Sequence, residues 1–188
     1  GTLEFAAPVV ELGAGDLVLE LFHGPTLAFK DFGARFMARL MGWLTRGDGR
    51  GLTVLVATSG DTGGAVASAF HQVEGTRVCI LYPKGKVSGL PEKQLTALGG
   101  NITALEVDGS FDDCQRLVKA AFLERELSER FNLTSANSIN IARLVPQAFY
   151  YIEAAKQLAE GVEPVFVVPS GNFRSEERRV GKECRSRW

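Results

Sequence analysis

The sequence predicts an α/β fold in which mostly parallel sheets are flanked by helices. Short apolar runs rich in β-branched residues alternate along the chain with longer segments of helical periodicity. The apolar runs are almost continuous, as is typical of strands buried on both faces of a parallel sheet. Alternation of this kind places helices on both sides of the sheet. The predicted strands cover residues 52–57, 76–82, 101–109 and 164–171.

The helices are predicted from amphipathic patterns and from residues typical of helix ends. Residues 28–45 carry phenylalanine and leucine at helical spacing, including Phe32 and Phe36, so this helix has an apolar face. Residues 111–131 form one long amphipathic segment. Pro146 predicts a kink, because proline lacks the backbone N–H that a helix interior needs. The predicted helices cover residues 28–45, 61–73, 88–100, 111–131 and 139–159.

The composition is that of an ordinary water-soluble globular chain. Of the 188 residues, 45% are hydrophobic and 23% charged, and no apolar run approaches the roughly 18–20 residues that span a bilayer. We therefore expect no membrane partner. No basic and apolar leader opens the chain, which favours a cytoplasmic protein. Cys79, Cys114 and Cys184 form neither a metal-ligand spacing nor a disulfide framework, so we predict no metal site and a reducing compartment.

Residues 174–188 differ from the chain before them, because the alternation of strands and helices stops after Phe173. This segment holds six of the 21 lysines and arginines but three of the 22 acidic residues. A basic tail can contact nucleic acid. We favour a non-native tail fused to a truncated chain, which is excluded from the fold, and we expect no nucleic-acid partner. The first residue, Gly1 rather than methionine, also favours a fragment.

Two small, hydroxyl-bearing and glycine-rich turns follow predicted strands. "TSGDTGG" comes after residues 52–57, and "PSGNF" comes after residues 164–168. Ligands of open parallel sheets bind beyond the carboxyl ends of the strands, and a helix N-terminus suits an anion. Neither turn matches a nucleotide-binding motif, and either one alone is more often an ordinary capped connection. Two such turns at one edge favour an anion or cofactor site.

Lys30 lies in the first turn of the helix predicted over residues 28–45, between Phe29 and Phe32. A cation there opposes the helix dipole, and desolvation by the aromatic rings would lower the pKa of the amine further. A lysine tuned in this way can attack a carbonyl group as a nucleophile. Taken alone, an ordinary solvated lysine is the commoner explanation.

Together these motifs resemble one family of enzymes. "HGPTLAFKDFGARF", "ATSGDTGGAVA", "LYPKGKVSGLPEKQL", "TSANSINIARLVPQ" and "VPSGNF" are similar, in order along residues 1–173, to the bacterial threonine synthase family. That family belongs to the fold-type II enzymes that depend on pyridoxal 5'-phosphate (PLP) and share the tryptophan synthase β-like fold. The resemblance implies conversion of O-phospho-L-homoserine and water to L-threonine and phosphate. It departs at Arg174, which replaces the last glycine of the family's "SGNFG".

The resemblance also implies roles for individual residues. Lys30 corresponds to the lysine that forms the Schiff base with PLP and then moves protons. Asp61 would face the cofactor ring, and the cofactor phosphate would be bound by Gly171, Asn172 and Phe173. The residues expected to bind substrate are Ser59 and Thr62 at its carboxylate and Asn137 and Arg143 at its phosphate.

Two other functions stay open from the sequence. One is another fold-type II lyase, such as a serine or threonine dehydratase, although "FKDFG" and "SGDTG" favour the threonine synthases. The other is a non-catalytic α/β module that binds anions.

The family resemblance also implies two domains. Residues 1–50 and 140–173 would belong to a large PLP domain, and residues 51–139 would form a smaller mobile domain. The oligomeric state is not predicted.

Overall fold

A four-stranded parallel sheet forms the centre of the protein. The computed structural model describes residues 2–47, 49–137 and 140–168. The strands within this part of the chain are β1 Val9–Gly13, β2 Asp16–Leu19, β3 Leu52–Ala57, β4 Thr76–Pro83, β5 Ile102–Val107 and β6 Leu133–Ser135. The sheet has the order β5-β4-β3-β6, and all of its pairs are parallel. The strands predicted over residues 52–57, 76–82 and 101–109 are confirmed.

Helices cover both faces of this sheet. They are α1 Lys30–Leu44, α2 Asp61–Phe70, α3 Gly89–Thr96, α4 Phe111–Leu123, α5 Arg125–Arg130, α6 Ile141–Leu144 and α7 Ala148–Lys156, with a 3₁₀ turn at Val145–Gln147. Helices α1, α2 and α3 contribute to the core on one face, whereas α4 packs on the other. The predicted fold class, a mostly parallel α/β fold, is therefore confirmed.

The inner strand β3 is buried on both faces, as its almost continuous apolar sequence requires. In β3, Val54 and Val56 point toward the core shared with α1 and α2. Leu55 and Ala57 alternate with them and pack on the opposite face, against Cys114 of α4. Side chains alternate across a strand, so a strand that is covered on both faces needs apolar residues at nearly every position.

Helix α1 packs into the main core with alanines and a methionine rather than with its phenylalanines. Ala34 and Met37 are fully buried in the main core. Phe32 lies instead in a separate cluster with Tyr150, and the ring of Phe36 is 5.6 Å from that of Phe149. The apolar face predicted for residues 28–45 thus contacts the C-terminal helices, and a second face enters the main core.

A β-hairpin that the sequence analysis missed precedes α1. Strands β1 and β2 pair antiparallel, and the turn between them has positive φ angles at Gly13, Ala14 and Gly15. The available signal was "GAG" between two short runs that contain valine and leucine. Both strands are largely exposed, so they lack the continuous apolar character of the central strands.

Two predicted helices are interrupted. The single helix predicted over residues 111–131 is wrong, because Glu124 adopts an extended conformation between α4 and α5. Helix α5 has no buried residue, so packing does not hold it in line with α4. The kink predicted at Pro146 is confirmed, since this residue lies in the 3₁₀ turn between α6 and α7.

The strand predicted over residues 164–171 is not found in its described part. Residues 164–168 have no regular structure, and Val165 and Val167 are 89% and 88% exposed. A strand needs a neighbour for its backbone hydrogen bonds, and none of the described strands pairs with this segment. The remainder of that prediction and the tail at 174–188 lie outside the described residues. Within the described part of the chain, no helix is long and apolar enough to cross a membrane.

Candidate active site

Lys30 is the first residue of α1 and its side chain is only 20% exposed. Its Nζ atom lies 3.3 Å from Oδ2 of Asp61, with which it forms an ion pair. The amine also lies 5.1 Å from the centroid of the Phe29 ring. The amine thus lies close to both an aromatic ring and a carboxylate, at the start of a helix.

The turn after β3 brings the next set of predicted residues to the same place. Asp61 is the first residue of α2, so its carboxylate lies where the helix dipole favours negative charge. Ser59, in the turn, is exposed, and Thr62, in the first turn of α2, is half-buried. The carboxylate of Asp61 therefore meets the Lys30 amine at the N-terminus of α2, and Ser59 and Thr62 lie within two residues of it along the chain.

Thr58 shapes this turn, and the sequence analysis did not single it out. The residue is 1% exposed, and its hydroxyl accepts hydrogen bonds from the N–H groups of Gly60 and Gly63 at 3.2 and 2.9 Å. The same hydroxyl donates to the carbonyl of Gly60 at 3.0 Å. Thr58 thereby binds an N–H group of the first turn of α2, which capping side chains commonly satisfy.

Asn137 joins the ends of two neighbouring strands. Its Nδ2 donates to the carbonyl of Ala57 at 2.8 Å, and its Oδ1 accepts from the N–H of Ala57 at 3.1 Å. Ser135 supports the same residue, because its hydroxyl accepts from the backbone N–H of Asn137 at 3.1 Å and donates to Oδ1 of Asn137 at 3.4 Å. The amide therefore fixes the last residue of β3, directly before the turn that carries Asp61. A direct contact of Asn137 with substrate stays a prediction.

Arg143 lies in α6 and is fully buried. Its Nη1 donates to the carbonyl of Ala136 at 2.7 Å. Its own carbonyl packs against Gly33 of α1, so closely that a Cβ atom at Gly33 would collide with it. Arg143 therefore connects α1 with the segment after β6. Its predicted contact with the substrate phosphate stays a prediction.

The structure brings Lys30, Asp61 and the turn at 58–60 into one region, and Asn137 and Arg143 support that region from β6 and α6. Gly171, Asn172 and Phe173 lie outside the described residues. The arrangement offers a primary amine beside a helix N-terminus lined by hydroxyl groups. Such a site suits a carbonyl compound that also carries negative charge.

Comparison with known proteins identifies the family. A model of the family described as pyridoxal-phosphate dependent enzymes matches residues 7–174. The chain belongs to the pyridoxal-phosphate dependent enzyme family. This confirms the family resemblance seen in the sequence at the level of the superfamily and its PLP cofactor.

Among relatives of this PLP-dependent chain are threonine synthases. The chain is similar to threonine synthase from Serratia marcescens, with 54% identity over 172 residues that cover 90% of this chain and 40% of that relative. It is similar to the crystal structure of threonine synthase from Escherichia coli, with a TM-score of 0.75 and 54% identity, covering 85% of this chain and 37% of that one. A PLP-bound threonine synthase from Brucella melitensis has a TM-score of 0.77 and 45% identity, covering 82% and 34%. The chain thus spans 40% of the length of the curated relatives with which it shares 54% identity.

The donor groups on the described residues fit the family's cofactor. PLP carries an aldehyde, which a primary amine such as that of Lys30 can bind covalently. The amine retains 20% side-chain exposure and faces the turn rather than the sheet, so a carbonyl group has access to it. The aromatic ring of Phe29 also lies close to the amine.

A second feature that the sequence analysis missed involves Asp31, the residue directly after Lys30. Asp31 is fully buried and accepts two hydrogen bonds from Thr26, one from its N–H at 2.9 Å and one from its hydroxyl at 2.7 Å. The signal was present in "GPT" followed five residues later by aspartate, but only the fold shows that the two groups meet. Asp31 therefore closes a loop of chain that contains the lysine.

Proposed function

We propose that the whole protein is a threonine synthase, which converts O-phospho-L-homoserine and water to L-threonine and phosphate. The whole protein here means the product of the complete reading frame that contains this segment. The observation that carries the proposal is 54% identity to threonine synthases over 90% of the chain. The partly exposed amine of Lys30 beside Asp61 supports it, because this reaction requires an amine that can bind PLP.

Lys30 has two proposed tasks. When bound, PLP supplies an electron sink that stabilises negative charge on the substrate carbon atoms. Lys30 holds the cofactor through its Nζ atom and, once that atom is released, moves protons at the α and β carbons of the substrate. Its position at the start of α1 keeps the amine near the turn at 58–60, where the substrate carboxylate would bind to Ser59 and Thr62.

Asp61 is proposed to hold the amine of Lys30 and to face the cofactor ring. Its side chain is 58% exposed, so it can turn away when a ligand enters. The N-terminus of α2 remains available to an anionic group after this movement. Gly171, Asn172 and Phe173 stay the proposed ligands of the cofactor phosphate.

Arg143 and Asn137 remain the proposed residues for the substrate phosphate, and their contacts favour an indirect contribution. Arg143 is fully buried against Ala136, and the Asn137 amide is bonded to Ala57. Both side chains fix the backbone at the edge of the sheet where the substrate would bind. In the whole protein, Arg143→Ala should weaken the inhibition by free phosphate while PLP remains bound. Loss of PLP without a change in phosphate inhibition would contradict a phosphate role.

Phosphate release and threonine formation from O-phospho-L-homoserine, measured on the whole protein, test the proposal. Lys30→Ala should abolish both, and Lys30→Arg should not restore them, because a guanidinium stays protonated. Lys156→Ala is the matched control, since Lys156 is an exposed lysine of α7. Retention by Lys30→Ala of more than about a hundredth of the wild-type turnover would contradict the role, because a positioned base contributes roughly 10²–10⁴-fold.

The same assay separates the two other functions. Formation of a keto acid from L-serine or L-threonine, without phosphate release from O-phospho-L-homoserine, would indicate a dehydratase-like lyase. Failure to bind PLP at all would indicate a non-catalytic anion-binding module.

Cellular location and domain structure are also proposals. We place the protein in the cytoplasm, with support from Cys79 and Cys114, which are both free thiols. The division of the chain into two domains, a large one of residues 1–50 and 140–173 and a smaller one of residues 51–139, stays a prediction. In this structure α1 shares its core with α2. Any movement of the smaller domain must therefore either move α1 with it or change the packing between α1 and α2.

A further inference from the structure

We propose that Asp31 is a positioning residue for Lys30, acting through the turn that precedes α1. This inference rests on the proposed role of Lys30 as the lysine that binds PLP. It concerns the backbone from which the lysine extends rather than any contact of Asp31 with substrate or cofactor.

The two hydrogen bonds between Thr26 and Asp31 are the first observation. Each carboxylate oxygen has its own donor: Oδ2 accepts from the Thr26 N–H at 2.9 Å, and Oδ1 accepts from the Thr26 hydroxyl at 2.7 Å. Asp31 is fully buried, so water does not replace these donors. Hydrogen bonds to a buried charged group are strong, and loss of a donor leaves the charge poorly solvated.

The fit of Gly24 against Asp31 is the second observation. A Cβ atom at Gly24 would lie 2.8 Å from Cβ of Asp31 and 2.9 Å from its Cγ, closer than atoms of side chains approach. Only glycine therefore allows the chain to pass this close to the carboxylate. The turn and the first residues of α1 are thus packed on each other as well as hydrogen-bonded.

The backbone of the same turn is strained, which is the third observation. Leu27 has φ of 59°, a conformation that residues other than glycine, asparagine and aspartate rarely adopt. Its N–H bonds to the carbonyl of Gly24 at 3.0 Å. A strained conformation persists only where its surroundings hold it, and the Thr26–Asp31 contact is the buried polar contact that closes this turn.

These contacts enclose Lys30 within a closed loop of residues 26–31. The lysine is the residue next to Asp31, so the loop fixes the direction in which its side chain leaves the helix. That direction brings the amine to Asp61, 3.3 Å away, rather than to open solvent. Release of the Thr26–Asp31 contact would leave α1 in place through its own core but would let its first turn and Lys30 fray.

The test compares variants of the whole protein for covalent attachment of PLP at Lys30. Each variant is incubated with PLP and reduced with borohydride, and peptide mapping measures the fraction attached at Lys30 and its rate of formation. Thr26→Val removes only the hydroxyl donor, and Thr26→Ser restores it. Thr45→Val is the matched control, because Thr45 makes a similar hydroxyl contact, to Met41 at 2.8 Å, at the other end of α1. Asp31→Asn removes the charge itself.

We expect Thr26→Val to slow attachment at Lys30 about tenfold and to shift attachment toward other lysines, as one hydrogen bond to a buried charge would predict. Thr26→Ser and Thr45→Val should match the wild type. Equal rates for Thr26→Val and Thr45→Val, whether both fast or both slow, would overturn the inference. If Asp31→Asn does not fold, the comparison of Thr26→Val with Thr26→Ser still tests the inference.

Failure of this inference is distinct from failure of the proposed function. If the wild-type protein attaches no PLP at Lys30, the proposed function is wrong and the positioning role falls with it. If the wild type attaches PLP at Lys30 and Thr26→Val does so equally well, only the positioning role is wrong. The visible absorbance band of the attached cofactor, recorded before the reduction, gives an independent readout, because a purely structural defect leaves the band of the attached fraction unchanged.

Discussion

Lys30 and Asp61, the first residues of α1 and α2, form an ion pair with Nζ and Oδ2 separated by 3.3 Å. The N-termini of two helices therefore face each other at the candidate active site. The positive end of a helix disfavours a cation, and the carboxylate of Asp61 offsets this cost at Lys30. This pairing places a nucleophilic amine beside an anion-binding helix end.

Replacement of Asp61 should affect cofactor attachment more than stability. Asp61→Asn removes the carboxylate from which the Lys30 amine must separate, so PLP should attach at Lys30 up to about fivefold faster. The unfolding free energy should change by less than about 1 kcal/mol, because the ion pair is partly exposed. Attachment kinetics and thermal unfolding measure the two effects. Glu153→Gln, which breaks the exposed pair with Lys156, is the control. A large loss of stability in Asp61→Asn with unchanged attachment would contradict the prediction.

Replacement of Leu27 by glycine should stabilise the protein. Its φ of 59° strains a side chain that is 65% exposed, so Leu27→Gly relieves the backbone and loses little burial. We expect the unfolding free energy to rise by about 0.5 kcal/mol, since relief of left-handed strain exceeds the added chain entropy. Leu12→Gly is the contrasting control, because Leu12 is 71% exposed but, unlike Leu27, does not have a positive φ. Denaturant unfolding should show a higher unfolding free energy for Leu27→Gly and a lower one for Leu12→Gly. A change of the same sign in both variants would show that Leu27 is not strained.

Gly33 should not tolerate a side chain. Gly33→Ala places a methyl group against the carbonyl of Arg143, which is backbone and cannot move aside cheaply. The expected loss is about 1–3 kcal/mol of unfolding free energy, as for other overpacked interiors. Gly89→Ala, at the open start of α3, should be neutral or slightly stabilising. Thermal unfolding compares the two, and an unchanged melting temperature for Gly33→Ala would show that α1 and α6 do not approach so closely.

Stability should depend on pH through the first turn of α4. Hydrogen bonds from the Arg116 guanidinium, and then from the backbone and side chain of Ser110, hold the pKa of the Asp113 carboxyl well below its ordinary value. The pKa of Asp113 is lower in the folded protein than in the unfolded one. Its contribution to the unfolding free energy is therefore complete above about pH 4 and is lost as the pH falls toward the folded pKa. Asp113→Asn should therefore be less stable than wild type at pH 7, and the difference should shrink below about pH 4.

Two further variants make this pH test specific. Ser110→Ala should cost about 1 kcal/mol at pH 7, as for other helix caps. Asp112→Asn removes a carboxylate from the same turn but none of the bonds to Ser110. Denaturant titrations at pH 7 and pH 3 measure the differences. A gap between Asp113→Asn and wild type that is the same at both pH values would exclude the proposed cause.

Local sequence patterns determined the central sheet and the residue types of the site. Strands β3 and β4 are apolar at most positions, and that pattern follows from burial of both faces. Lys30 at a helix start and Asp61 after a strand were equally visible, because helix ends carry local signals. The hairpin of β1 and β2 was missed because its exposed strands lack such a pattern.

The tertiary structure decided which of these groups meet. Asn137 bonds to Ala57, 80 residues earlier in the chain, and Lys30 contacts Asp61, 31 residues later. A periodic sequence pattern does not predict contacts over such separations. The same holds for α1, where Ala34, Met37 and Ala38 rather than the phenylalanines enter the main core. The packing of helices on a sheet depends on side-chain volumes from several elements at once. Residues 164–168 illustrate the limit most directly: their sequence has strand character, but strand structure requires a hydrogen-bonding neighbour, and only the fold determines whether one is present.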